Sequence, residues 1–379
     1  MDSLLAHIRK QQKAIVDVIR QMVLLETPSG SPEAIEKFQQ FVADQVAGIA
    51  RSSLHAGGKF GPHLTCEFDL PGKAGRGQIL VLGHSDTVWP LGTLSSMPFR
   101  QHQGRLWGPG VLDMKAGIAF FLAAVRALRD LEIPVASRIL LQLNSDEEVG
   151  SLSSRALTEK NARRSKAVLV LEPGTGLEGR LKTARKGVGD YTLTVRGRAS
   201  HAGVDFAAGA SAVLELARQI ERIAAFTRLD RGITVNPGVI SGGTRANVVA
   251  AEARAHIDIR IARLRDAAAL DRRFRSLRPF DRRCALEIAG GLNRPPMERT
   301  AGGAKLFQMA RSFGRDLGVN VEESFTGGGS DGNFTAALGV PTLDGLGAVG
   351  EGAHAAGESI LIDRIADRTA LLALLIARI

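Results

Sequence analysis

Hydrophobic and polar positions along the chain fall first into a helical rhythm. From Met1 to Gly30 (MDSLLAHIRKQQKAIVDVIRQMVLLETPSG) apolar residues recur at helical spacing between charges, the pattern of an amphipathic helix. Ser31–Gly48 repeats it, with Ser31 placed as an N-cap, Pro32 at the first helical position and Glu33 after it. Short, nearly all-apolar runs follow at Gln78–Gly83, Arg138–Asn144 and Ala167–Glu172, the last stopped by Pro173 and Gly174. Such runs predict strands buried on both faces. A helical pattern at Asp113–Arg129 separates the first two, so strands alternate with helices. That alternation predicts an α/β fold, a mostly parallel sheet flanked by helices.

The rhythm changes after Gly179. Gly189–Gly197 (GDYTLTVRG) alternates apolar with polar residues, as a strand with one solvated face does. A helix is expected at Ala208–Phe226, strands at Ile233–Ile240 and Asn247–Ile261, a basic helix at Ala267–Leu277 and a strand at Ala285–Ile288. The order β-α-β-β-α-β is that of a split βαβ, ferredoxin-like α+β unit. From Asn293 the α/β pattern returns, with helices near Lys305–Gly318 and at the C-terminus. The expected division is residues 1–179 and 290–379 for the α/β unit, with 180–289 inserted as a smaller one.

Composition narrows the classes. With 379 residues the chain is long enough for two domains. Its 44% hydrophobic and 23% charged residues exclude a disordered or fibrous chain. Two cysteines, Cys66 and Cys284, cannot build a disulfide scaffold or a thiolate zinc site, and read as buried thiols. The net charge of +10 could draw an anionic partner. A nucleic-acid binder needs clustered bases with aromatic interleaving, yet the basic run Arg263–Arg283 carries interspersed acids and only Phe274 and Phe280. No apolar run reaches the ~20 residues that span a bilayer. The expectation is a cytoplasmic protein with no nucleic-acid or membrane partner, a processed secreted form being the alternative.

Open parallel sheets bind ligands beyond the carboxyl ends of their strands. After the first buried run comes Gly83-His84-Ser85-Asp86-Thr87, after the second Asn144-Ser145-Asp146-Glu147-Glu148, and after the third Glu172-Pro173. Asp113 stands at a helix entrance, and a glycine-rich loop near the C-terminus carries His354. Each has a plainer reading: His84 as a satisfied histidine, Asp113 as a cap, Asp146-Glu147-Glu148 as a solvated turn. Together, however, these carboxylates would repel one another without a cation. Two imidazoles with three carboxylates suit a pair of zinc ions. Asp86, two residues from His84, is placed to accept its second ring N–H.

In the order GHSDTV, Asp113-Met-Lys, SDEEVGS, LEP, GRASHAG and TGGGSD, the chain resembles the co-catalytic zinc peptidases and deacylases. That family includes glutamate carboxypeptidase, aminoacylase, acetylornithine deacetylase and succinyl-diaminopimelate desuccinylase, and the wording of LEP and TGGGSD is closest to the glutamate carboxypeptidase branch. The resemblance implies a zinc exopeptidase-like catalytic domain with an inserted lid that dimerises. It implies His84, Glu172 and Asp113 on one metal and Glu148, His354 and Asp113 on the other, with Asp113 bridging and the peptide after it cis. It further implies Glu147 as general base, with Asp86 and His201 in the catalytic set, His201 stabilising the oxyanion. Asn247 and Arg260 match positions that grip a substrate carboxylate. On the residues alone, Arg260 could be a surface strand residue and His201 a turn cap.

The activity so implied is hydrolysis of an amide next to a free carboxylate, as a carboxypeptidase releasing a C-terminal amino acid. An N-acyl amino acid deacylase is the alternative, and a silent binding protein the third reading. Zinc is the expected ion, with cobalt or manganese as alternatives, and the expected partner is a small peptide or N-acyl amino acid. Two positions depart from the family pattern. Gly108-Pro109-Gly110 replaces Gly-Arg-Gly, and Phe325 stands where the branch has an arginine before Thr-Gly-Gly-Gly. The second departure points away from an acidic C-terminal side chain and toward an aromatic or aliphatic one.

Overall fold

Gln78–His84, Arg138–Asn144 and Ser165–Val170 pair as parallel strands because each is apolar on both faces. In the first, Ile79 and Val81 point into the larger core, while Leu80 and Leu82 pack with Ala162, Val168 and Val170 on the opposite side. The computed structural model describes residues 2–72, 75 and 77–379. Its central sheet runs Ala50–His55, His63–Phe68, Arg138–Asn144, Gln78–His84, Ser165–Val170, Thr342–Leu343. The last four are mutually parallel, and the first two add antiparallel at one edge. Register sets His84 opposite Asn144 and Leu82 opposite Val170, so three strands finish level with one another.

The chain divides into two compact units, one of residues 1–184, 299–326 and 330–379, the other of 185–298 with 327–329. In the first, the apolar helix Ile365–Arg378 packs on Ala116–Asp130, both nearly wholly buried. Gly117 is required in the second of these helices, since a methyl group there would lie 2.2 Å from the Leu171 carbonyl oxygen. Two elements without long apolar runs frame the site. One is a four-stranded antiparallel sheet of Gly350–Glu351, Ser359–Leu361, Arg105–Trp107 and Arg100–His102. It sets the loop after Trp107 beside the loop before Ser359. The other is a ribbon of Leu181–Arg185 with Glu323–Thr326.

The second unit has the β-α-β-β-α-β order, with strands Gly187–Arg196, Thr234–Gly242, Glu252–Ile261 and Ala285–Arg294 and helices Ala212–Ala224 and Ala267–Arg275. Its antiparallel sheet runs second, third, first, fourth. Tyr191 stacks on Phe274 at 3.8 Å between centroids, and Phe226 meets the same ring edge-on. Cys66 and Cys284 are both buried free thiols.

Several elements differ from the sequence expectation. The N-terminal pattern forms two helices, Asp2–Lys10 and Gln12–Leu24, divided at Gln11 (φ −88°, ψ 0°). Ser31 occupies the cap position without a side-chain cap bond. The regular α-helix begins only at Ala116, because Asp113 and Met114 take non-helical backbone angles; the peptide between them is cis. The expected strand from Asn247 starts at Glu252. The Asn247–Val249 stretch instead bridges the His201 loop, with Ala202 N–H bonded to the Asn247 carbonyl at 2.9 Å and Val249 N–H to that of Ser200. Among the described residues no helix is long and apolar enough to cross a membrane.

Candidate metal centre

The level strand ends deliver the first group. His84 closes its strand, and Glu172 follows the next strand by two residues. Asp113 arrives from the loop after Arg105–Trp107. Ligand atoms of these three lie within 4.8 Å of one another. His84 Nε2 is 3.0 Å from Asp113 Oδ1 and 3.6 Å from Glu172 Oε1. The other ring nitrogen, Nδ1, lies 2.9 Å from the Asp86 main-chain carbonyl and 3.4 Å from its carboxylate. A carbonyl can only accept, so Nδ1 carries the proton and Nε2 is left as the ligating atom.

Asp113, Glu148 and His354 form the second group. His354 Nε2 sits 3.3 Å from both Asp113 Oδ2 and Glu148 Oε2. The two oxygens of Asp113 thus face one group each. Glu147 and Glu148 open a short 3₁₀ turn ended by Gly150 in the left-handed region at φ 98°. Asp86 holds that turn, taking the Glu147 N–H on Oδ1 at 3.2 Å and the Glu148 N–H on Oδ2 at 3.1 Å. Ser29 adds a 2.7 Å bond to the same carboxylate.

The donor set fits a pair of divalent cations. Three carboxylates and two imidazoles converge in a half-buried cleft, and Glu148 Oε1 is buried with no hydrogen-bond partner among the described residues. An orphaned carboxylate oxygen is costly unless something positive covers it. The titration behaviour agrees. Burial pushes the Asp113 carboxyl up, but bonds from His354 and His84 override that and hold it well below the usual range. Burial lowers the His84 imidazole, yet its acidic neighbours Asp113, Asp86 and Glu172 raise it well above normal. His354 is lifted to about 10 by Asp113 and Glu148. Protons occupy the imidazoles, where cations belong.

Sequence reasoning missed two buried carboxylates. Glu358, wholly buried, accepts four N–H donors around the Asp113 loop. Asp331 receives Asn144 Nδ2 at 2.6 Å and the Ser151 hydroxyl, joining the strand end to the turn after Glu148. Neither lies on a periodic face; the one signal was that both stand in glycine-rich stretches already holding site residues, four after His354 and at the end of TGGGSD. Lys115 is also buried, with Nζ on the Leu25 carbonyl at 2.7 Å, and burial lowers it to about 7.

His201, Asn247 and Arg260 all belong to the second unit, but only the first two are neighbours, Arg260 standing toward the far end of the strand Glu252–Ile261. The bridge that pairs His201 with Val248 brings His201 and Asn247 onto neighbouring segments, both exposed. His201 Nδ1 accepts the Gly203 N–H at 3.2 Å, which puts the proton on Nε2. Arg260 is engaged: Nε and Nη2 reach the two oxygens of Asp258 at 2.9 and 2.8 Å, and Nη1 lies 3.5 Å from the Gly327 carbonyl.

The sequence profile described as Peptidase family M20/M25/M40 matches residues 80–378. Carboxypeptidase G2 of Pseudomonas sp. (strain RS-16) is 28% identical over 353 residues, covering 91% of this chain and 84% of its own. Succinyl-diaminopimelate desuccinylase of Azoarcus sp. (strain BH72) is 30% identical over 301 residues, covering 75% and 78%. Among solved structures, the aminopeptidase PepT of Bacillus cereus ATCC 10987 shares the fold with a TM-score of 0.76 at 22% identity, covering 97% of this chain and 98% of its own.

Proposed function

The chain belongs to peptidase family M20/M25/M40 and is a metal-dependent hydrolase, and from that premise we propose that it cuts an amide bond next to a free carboxylate, releasing a C-terminal amino acid. The observation that carries the reading is the pair of ligand groups sharing Asp113, with Glu147 beside Glu148 on the turn that Asp86 holds. His84, Glu172 and Asp113 hold one divalent ion, and Glu148, His354 and Asp113 the other, zinc being the ion that this nitrogen and oxygen set suits. Bound there, two ions acidify a water and polarise the scissile carbonyl.

The chain's own groups do the rest. Glu147 takes the proton of the attacking water and returns it to the leaving amine. His201, with its proton on Nε2, donates to the oxygen on which negative charge develops. Asn247 and Arg260 bind the substrate carboxylate, Arg260 by exchanging its Asp258 partner for the ligand. Asp86 positions His84 and the Glu147 turn. The lid pairs two chains along the outer edge of Thr234–Gly242, where Val239 and Ile240 are 60% and 63% exposed. Two free buried thiols suit a reducing cytoplasm.

A second reading, N-acyl amino acid deacylation, draws on the desuccinylase relative. One screen separates the two. Metal-loaded protein is offered dipeptides, N-carbobenzoxy and N-acetyl derivatives of Glu, Phe, Leu and Ala, and their C-terminal amides. Cleavage of acids but not amides, with dipeptides or carbobenzoxy compounds faster than acetyl ones, supports the carboxypeptidase. Faster acetyl release supports the deacylase. Hydrolysis unaffected by complete chelation sinks both.

A further inference from the structure

We propose that Glu358 is a positioning residue that fixes the Asp113 loop to the His354 loop, and so sets how tightly the shared carboxylate holds its two ions; this rests on the di-metal reading above. Glu358 is hydrogen-bonded to main-chain and indole N–H groups rather than to the ligand atoms. Its side chain lies under the loop that delivers Asp113, wholly buried. Oε1 accepts the main-chain N–H of Leu112 at 2.8 Å and of Asp113 at 3.1 Å. Oε2 accepts that of Gly110 at 2.9 Å and the Trp89 indole N–H at 2.8 Å. Its own carbonyl receives the Gly108 N–H at 3.4 Å.

The loop needs such an anchor. Its helical turn Val111–Lys115 is broken at Asp113 and Met114, whose backbone angles are non-helical, and Gly110 sits at φ 70°, so local propensity does not define where Asp113 points. A buried anion is tolerated only where donors surround it, and here all of the donors belong to the Trp89 turn and the Gly110–Asp113 loop. Because Glu358 follows His354 by four residues, one side chain fixes the distance between the bridging carboxylate and a ligand of the second ion. The two carboxylate oxygens serve different donors, which makes glutamine a poor replacement. Its amide nitrogen would face N–H groups on one side or the other, releasing either Gly110 and Trp89 or Leu112 and Asp113.

The test is metal affinity, measured by competition with a chromophoric zinc chelator, and the visible spectrum of the cobalt-substituted protein. Loss of an outer partner of a metal ligand typically costs about 10–100-fold in affinity. In folded Glu358→Gln the weaker of two zinc dissociation constants is expected to rise by about that factor, with an altered cobalt spectrum. Trp89→Phe removes a single donor to Oε2, and its constant is expected to rise about 3–10-fold. It carries the test should Glu358→Gln not fold. Wild-type constants and spectrum in a folded Glu358→Gln, or in Trp89→Phe where that is the variant read, overturn the role of Glu358 while leaving the metal reading intact. Wild-type protein that binds no zinc removes the metal reading itself.

Discussion

One oxygen of the Asp86 carboxylate receives the main-chain N–H of Glu147 at 3.2 Å, so the residue that backs His84 also fixes the start of the acidic turn. Its other oxygen receives Glu148 N–H and the Ser29 hydroxyl. Strand end and turn are therefore one rigid piece. Asp86→Asn places an amide nitrogen against one of those N–H groups. We expect kcat to fall about 10–100-fold while both ions stay bound, as for other outer partners of metal sites. Kinetics with metal content measured on the same sample would decide it, and unchanged kcat would remove the positioning role.

Glu147→Gln keeps the shape of the turn, since its main-chain N–H still meets Asp86. A general base is worth about 10²–10⁴-fold. Hydrolysis is expected to drop by that factor with two ions per chain retained. Activity near wild type would mean that another group takes the proton.

The central strands were legible because burial on both faces leaves a pure apolar run, as in Gln78–His84. The strand-end rule then pointed to His84, Glu148 and Glu172 before any geometry was known. The sheet of Arg100–His102, Arg105–Trp107, Gly350–Glu351 and Ser359–Leu361 was not legible, since strands of two or three residues have no period to read. Glu358 escaped for a related reason: its partners are main-chain N–H groups, which leave no mark on residue type. Asn247 shows the opposite error. The apolar run Val248–Ala251 looks like a strand start, but its pairing goes to the His201 loop.

In the metal-free protein His354 stays protonated to about pH 10, held by Asp113 and Glu148 against partial burial. Its folded value exceeds the unfolded ~6.5, so its pairing stabilises the metal-free fold fully below pH ~6.5 and is lost as pH rises toward about 10. Lys115 acts in the opposite sense, because burial lowers it to about 7 and its penalty is relieved as pH rises. Subtracting His354→Ala from wild type cancels Lys115. The Tm difference between the two metal-free proteins is expected to be largest near pH 6 and to shrink toward pH 10. A difference flat with pH would show that His354 is not ion-paired.

Arg260→Ala tests the carboxylate grip. KM should rise about 10–100-fold for substrates ending in a free carboxylate, the worth of a charged hydrogen bond of ~1.5–3 kcal/mol, and little for their amides. An equal effect on both would assign Arg260 to its pairing with Asp258 alone.

Phe325 lies on the Glu323–Thr326 strand with 54% of its surface exposed, an apolar ring where the family resemblance of the sequence implies a cation. Exposed charge pairs are worth only ~0–1 kcal/mol, whereas an arginine that closes over a bound carboxylate gains toward ~1.5–3. The size of the change therefore reports how enclosed the position becomes with substrate bound. For the wild type we expect kcat/KM to favour C-terminal Phe or Leu over Glu. Phe325→Arg is expected to move the Glu-to-Leu ratio of kcat/KM upward by about tenfold, or ~1.4 kcal/mol, chiefly by weakening the disadvantage of Glu. Because the strand is paired to Leu181–Arg185 through its backbone, the substitution should leave Tm within about 1–2 °C of wild type. A ratio unmoved in a folded, metal-loaded variant would place the specificity of the released residue elsewhere.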